Sequence, residues 1–201
     1  MRTPVLETDR LILRPLRAAD AEEVYQNWGS DPEVARFMSW STHENVEVTR
    51  QWLIAAEANI DIDGVYEWGF ERKSDHKLIG CGGVFFKEYK RMYELGYNIM
   101  KDCWHQGYTT EAAGRILKFA VTELNQRYIY AYHAKENPNS GKVMEKVGFY
   151  YIGDREYDSM DGTKHFEARE YLFEAKKNRY FDNDKSYLSQ KHGIVKSDSI
   201  C

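Results

Sequence analysis

Apolar and polar residues alternate along several short stretches of this chain, and each stretch reads as a β-strand. The pattern covers 6–16, 65–72, 77–86, 91–100, 128–134, 149–157 and 163–174. Pro15 cuts the first stretch. A Ser74-Asp75-His76 turn joins the second to the third, and Met160-Asp161-Gly162 folds the last two into a hairpin. Helical spacing marks the rest. Ala21, Val24, Tyr25 and Trp28 share one face of a short helix over 20–28. Ser30-Asp31-Pro32-Glu33 starts a second, with a polar cap and Pro in the first turn, and this helix should end near Met38. Ser41-Thr42-His43-Glu44 reads as a capping box opening a helix to about Asn59, with Val46, Thr49, Leu53, Ala56 and Ile60 in register. Ala113, Ile116, Leu117, Ala120, Val121 and Leu124 define the longest amphipathic helix, and 140–147 a short one stopped by Gly148.

The order is therefore strand, three helices, three strands, helix, strand, helix, two strands. That is a mixed α/β (α+β) fold. The strand, helix and strand across 93–134 imply one right-handed parallel crossover, while hairpins make the rest of the sheet antiparallel. A single domain should span 1–174, with a C-terminal extension over 175–201. There Tyr180, Phe181, Tyr187, Leu188 and Ile194 could seat on the core or on the second subunit of a homodimer.

Composition narrows the function classes. With 201 residues, 42% of them hydrophobic, the chain can bury an ordinary core. No apolar run approaches the length of a membrane span, and Met1-Arg2-Thr3-Pro4 is not a leader, so no membrane partner is expected. A net charge of −4 argues against general nucleic-acid binding and mildly suits a cationic substrate. Cys81, Cys103 and Cys201 fit neither a disulfide framework nor a zinc site, which points to the reducing cytoplasm. The six histidines form no ligand cluster, so no metal is expected.

The segment carrying most chemistry is Trp104-His105-Gln106-Gly107-Tyr108-Thr109-Thr110-Glu111-Ala112. It leaves a strand, turns around one glycine and enters the longest helix. Unpaired N–H groups and the positive end of a helix dipole then converge on one spot, suited to a phosphate or pyrophosphate. Gly107 lets the ligand approach the backbone. A plain strand-to-helix turn would use the same glycine. Neither GxxxxGK[ST] nor GxGxxG is present.

WHQGYTTEA resembles the loop of the GNAT superfamily of N-acetyltransferases that binds the pyrophosphate of acetyl-CoA. Further segments match the family in order. Thr8-Asp9-Arg10-Leu11-Ile12-Leu13-Arg14-Pro15-Leu16 is similar to its first strand, Leu78-Ile79-Gly80 with Gly82-Gly83 to its third, and Glu94-Leu95-Gly96-Tyr97 to its fourth. Asn137-Pro138-Asn139-Ser140 and Glu145-Lys146-Val147-Gly148-Phe149 resemble the end of its core. The Trp, the N-x-x-S and the EKxGF are closest to the subgroup that includes ribosomal-protein N-terminal acetyltransferases. Trp104 and Thr109 depart from the commonest loop pattern, which has Gln or Arg and then Gly or Ala.

The resemblance implies acetyl-CoA as co-substrate and a primary amine as acceptor, either a protein N-terminus or a small molecule. Transfer would be by direct attack, without a covalent enzyme intermediate. It implies that strands 93–100 and 128–134 splay apart, leaving the edge at Asn98, Ile99 and Met100 for the pantetheine arm. The pyrophosphate would meet His105, Gln106, Gly107, Tyr108, Thr109 and Thr110, with His105 contributing its N–H. Glu94 is the favoured base, with Glu111 the second choice. Many family members carry an acid Tyr where this chain has Met144. Ser140 is the remaining acid, unless it only caps its helix, and Asn137 would bond pantetheine or the acceptor backbone. Arg115 could meet a phosphate and His133 could line the acceptor pocket, whose walls would come from Trp28, Met38, Trp40, Tyr66 and Trp68. Two other readings stay open: a catalytically silent acyl-CoA-binding module, and a polyamine or antibiotic N-acyltransferase.

Overall fold

The structure, a computed structural model, describes residues 1–175. The expected extension beyond Ala175 lies outside the described residues. β1 (Leu6–Glu7) and β2 (Leu11–Arg14) are two strands, where alternation predicts one over 6–16. The Thr8 N–H donates to the Leu11 carbonyl at 3.0 Å, and the Thr8 hydroxyl oxygen accepts the Leu11 N–H at 2.9 Å. A short polar side chain that captures backbone three residues on makes a turn. Alternation does not reveal it, because Leu6, Leu11, Leu13 and Leu16 still all reach the core.

A 3₁₀ turn (Ala18–Asp20), α1 (Ala21–Val24) and a π turn (Tyr25–Gly29) form the first helical run. α2 (Pro32–Ala35) is shorter than expected, while its Asp31 cap and Pro32 start match the sequence reading. α3 (Val46–Ala58) is not opened by 41–44. Its cap is Asn45, whose Oδ1 accepts the Glu47 and Val48 N–H groups at 3.0 and 3.2 Å. The Ser41 hydroxyl instead donates to Asp161, at 2.5 Å.

The remaining elements are β3 (Val65–Arg72), β4 (Lys77–Lys87), β5 (Met92–Ile99), α4 (Tyr108–Thr122), β6 (Tyr128–Ala134), α5 (Pro138–Lys146), β7 (Tyr150–Asp158) and β8 (His165–Glu174). Among the described residues the eight strands form one sheet in the order β1-β2-β3-β4-β5-β6-β8-β7. Its single parallel pair is β5 with β6, and every other neighbour is antiparallel. That pair is joined only at Tyr93 with Ile129 and Glu94 with Tyr130. Beyond those residues the two strands part.

α4 covers one face, burying Ala112, Ala113, Ile116, Leu117, Phe119 and Ala120. Part of the opposite face lies under α3, where Ala56 and Ile60 come beside Val65 and Glu67. Among the described residues no helix is long and apolar enough to cross a membrane. Cys81 and Cys103 are buried and unpaired with each other.

Candidate active site

The site begins where β5 runs into α4. Gly107 is the N-cap of α4, in the left-handed region at φ +81°, and carries no side chain to cap the first-turn N–H groups. A Cβ there would meet nothing closer than Arg10 Nη2, 3.6 Å away, so the concave side of the loop is open. His105 also has a positive φ of 62°. The first turn of α4 is Tyr108, Thr109, Thr110 and Glu111.

Arg10 binds this loop to the β1–β2 turn. Its Nε donates to Glu111 Oε2 at 2.6 Å, its Nη1 donates to the Gln106 carbonyl at 3.0 Å, and its guanidinium lies 4.2 Å over the Tyr108 ring. Glu111 also accepts the Thr8 hydroxyl at 2.5 Å and the Arg10 N–H at 2.9 Å. Burial pushes the Glu111 carboxyl up, but these donors outweigh it and hold the pKa below the usual carboxylate value. Both Glu111 oxygens are therefore engaged in fixing the cradle. Nothing in the residue spacing pairs positions 10 and 111, and the sequence reading missed Arg10 as a cradle cation. Arg115 is half-buried one turn further on and does not border the cavity.

The open edge of β5 follows from the splay. Met100 N–H donates to the Ile79 carbonyl at 2.8 Å, and a Cβ on Gly80 would fall 2.4 Å from the Asn98 carbonyl oxygen. The backbone groups of Asn98 and Met100 therefore face β4. By strand alternation those of Leu95, Tyr97 and Ile99 face the gap. The Ile99 carbonyl accepts the Trp104 indole N–H at 3.0 Å, which gives Trp104 a structural reason to precede the glycine loop. Of the edge expected at Asn98, Ile99 and Met100, Ile99 turns its backbone to the gap, while Asn98 and Met100 turn theirs to β4. Asn98 contributes its side chain instead: Nδ2 lies 3.1 Å from Cys81 Sγ, and Oδ1 is buried without a partner.

Glu94 sits on the last residue of β5 paired with β6. It accepts the Tyr130 hydroxyl at 2.6 Å, and that hydroxyl is 2.8 Å from the Tyr89 hydroxyl. Burial, then the bond to Glu94, drives the Tyr130 phenol far above its usual pKa, so Tyr130 stays a donor. On the other side of the gap, α5 starts at Pro138 rather than 140. Its cap is Asn137, whose Oδ1 accepts the Ser140 N–H at 3.4 Å. Ser140 is therefore not the cap, and its hydroxyl donates to the Tyr97 hydroxyl at 3.3 Å. Tyr97 in turn donates to the Ser140 carbonyl at 3.0 Å, and burial raises its pKa well above the usual value. Tyr97 thus brings a phenol to α5 from β5, although Met144 fills the expected Tyr position on α5 and is buried.

Glu94, Tyr97, Asn98, Asn137 and Ser140 border one cavity of about 950 Å³ with His105, Gly107, Thr109 and Thr110, whereas Gln106 and Tyr108 do not. Trp28, Met38 and Trp40 line it as expected, with Phe37, Trp52 and Phe85. Tyr66 and Trp68 do not. Both point to the opposite face and meet Phe119 with ring centroids 5.3 Å apart. Glu67, between them in sequence, borders the cavity. His133 is 5% exposed, with Nδ1–H donating to the Ala134 carbonyl at 2.7 Å and its ring against Tyr171. Burial lowers its pKa, and it lines the cavity as expected. Among the described residues no group of three or more His, Cys, Asp or Glu is placed to hold a metal ion.

The family model described as "Acetyltransferase (GNAT) domain" matches residues 10–150. The chain is 31% identical over 162 residues to the "Uncharacterized N-acetyltransferase YoaA" of Bacillus subtilis (strain 168), covering 80% of this chain and 91% of that one. Among solved structures, the ribosomal-protein-S5-alanine acetyltransferase from Vibrio fischeri aligns with a TM-score of 0.73 at 17% identity, over 85% of this chain and 96% of that one. The spermidine N-acetyltransferase from Vibrio cholerae, in complex with CoA and spermine, aligns with a TM-score of 0.70 at 18% identity, over 87% and 99%. The two solved structures share the fold. The glycine cradle, the splayed strand pair and the matched domain together place this chain in the GNAT family of acetyltransferases.

Proposed function

We propose that this enzyme moves the acetyl group of acetyl-CoA onto a primary amine by direct attack, with Glu94 taking the amine proton and Ser140 meeting the leaving sulfur. The position of Glu94 carries this reading: its carboxylate stands where the sheet opens, on the wall of the cavity. Acetyl-CoA supplies the activated acyl carbon. Three features of the chain suit it. The cradle around Gly107 has room for a pyrophosphate, the β5 edge offers backbone groups at Leu95 and Tyr97, and Asn98 Oδ1 is a buried acceptor lacking a donor.

An alkyl amine arrives as an ammonium with no lone pair, so a carboxylate must accept its proton directly or through a water. The Tyr130 hydroxyl fixes the Glu94 carboxylate for that task. Tyr97 fixes Ser140 on the sulfur side, so the two proton-handling groups act from opposite lips of the gap. Aromatic walls and carboxylates favour a cationic acceptor. The two solved neighbours named above have an alanine of a ribosomal protein and spermidine as their acceptors, which supports an amine in either a protein N-terminus or a small molecule. We place the enzyme in the cytoplasm, where its buried thiols stay reduced.

The test is CoA release from acetyl-CoA with a panel of primary amines. Glu94→Gln should lower kcat by ~10²–10⁴ while leaving acetyl-CoA affinity unchanged. A variant within a few-fold of wild type would remove Glu94 from the role of base.

A further inference from the structure

Glu67 is a carboxylate that the proposed chemistry does not use. It lies on β3, where cross-strand register pairs it with Gly83 of β4, and Gly83 with Gly96 of β5. Residues paired this way share a face of the sheet, so Glu67 faces the same way as Glu94, two residues from Gly96. The row itself carries glycines, since a Cβ on Gly83 would fall 2.1 Å from the Tyr66 carbonyl oxygen, and the Phe85 ring, opposite Glu94, borders it 3.7 Å from where a Cβ on Gly96 would lie. Gly96 continues the lane to the open β5 edge. Trp28, Trp52 and Phe85 line the same cavity.

Glu67 makes no hydrogen bond or ion pair to any described residue. Lys87, on the same face of β4, is four residues along from Gly83 and leans over the Phe85 ring. Burial alone pushes the Glu67 carboxyl up to about 7. Glu67 is half-buried on the cavity wall, and a carboxylate without a cation there is costly, so folds keep such groups where a ligand supplies the missing charge.

We infer that Glu67 binds a second positive charge on the acceptor, so that the acceptor is a short linear diamine or a longer polyamine held between Glu94 and Glu67. This rests on the acetyl-transfer reading above. Two strand spacings and two residues of rise separate the Cα atoms of Glu67 and Glu94 by about 12 Å. Allowing about 2.8 Å for each charged hydrogen bond leaves a nitrogen-to-nitrogen span of roughly 6–7 Å, which four or five methylenes fill. The reacting nitrogen sits at Glu94 beside the β5 edge. The other stays an ammonium at Glu67, among the aromatic walls.

The experiment uses the full chain with butylamine, 1,4-diaminobutane, 1,5-diaminopentane and 1,6-diaminohexane. Binding is measured by calorimetry in the presence of CoA, and turnover by CoA release. Wild type should bind the four- or five-carbon diamine at least tenfold more tightly than butylamine. Glu67→Gln should bring the two within about twofold, with acetyl-CoA affinity intact. Glu67→Asp keeps the charge but withdraws it towards the sheet, so the diamine should stay preferred over butylamine, by less than in wild type. A preference that Asp keeps and Gln loses is a readout no packing role would produce. Absence of a diamine preference in wild type, or a preference retained in Glu67→Gln, overturns the inference. Diamine bound through Glu67 but never acetylated would instead overturn the acetyl-transfer reading and leave Glu67 as the cation site. Acetylation of monoamines indifferent to Glu67 would do the reverse.

Discussion

At the scale of single residues, the candidate site is built from hydrogen-bonded pairs rather than isolated groups. A serine hydroxyl is a weak acid, and its use at a leaving sulfur depends on where it points. Ser140 is held at both its carbonyl and its hydroxyl by one partner, Tyr97. Ser140→Ala should therefore lower kcat by roughly tenfold, the scale of one charge-assisted hydrogen bond. Tyr97→Phe should lose part of that, and the double variant should be no slower than Ser140→Ala, because the two act as a unit. Steady-state kinetics on the four proteins checks this. Losses that multiply would assign Tyr97 a role independent of Ser140.

At the scale of elements, the cradle is a strand, a loop and a helix start tied to a distant turn. Loop geometry depends on Gly107, since a side chain at φ +81° is strained and would fill the concave face. Gly107→Glu adds a negative charge as well. It should weaken acetyl-CoA binding by more than 100-fold, as the loss of a whole pyrophosphate subsite implies. Helix content should not change, because α4 draws its stability from its buried face. Calorimetry with acetyl-CoA and circular dichroism decide the matter, and unchanged affinity would move the pyrophosphate elsewhere. The same α4 start explains Glu111: its carboxylate sits in the first turn, but Thr8 and Arg10 use up its oxygens.

At the scale of the molecule, enclosing Glu67 in the cavity couples function to stability. The carboxyl titrates near 7 in the fold and near the usual carboxylate value when the chain is unfolded. The folded state thus holds this proton more tightly. Stability falls as pH rises between the two values and stays lower above the folded one. Glu67→Gln removes that slope. The melting temperature of the variant relative to wild type should rise by about 3–8 °C between pH 5 and pH 8, on the scale set by a shift of this size in a chain of this length. A difference independent of pH would mean that the Glu67 carboxylate is solvated in the fold.

Local pattern was enough to fix most elements. Strands 65–72 and 128–134 coincide with β3 and β6, because alternation reports a half-buried strand wherever it occurs. Gly107 and the helix after it were legible too, since a glycine at a strand-to-helix junction has a local backbone cause. Glu94 and Ser140 were found only through likeness to a family motif. What the sequence alone could not decide is which groups meet across the fold. Tyr66 and Trp68 look like pocket walls, and nothing in the local pattern singles out Glu67. Alternation separates two faces but does not say what covers each, and α4 takes the aromatic face while the cavity takes Glu67. Arg10 with Glu111, and Tyr97 with Ser140, are 101 and 43 positions apart. Their meeting depends on sheet order and on where β5 and β6 part, which are properties of the assembled sheet and of no segment by itself.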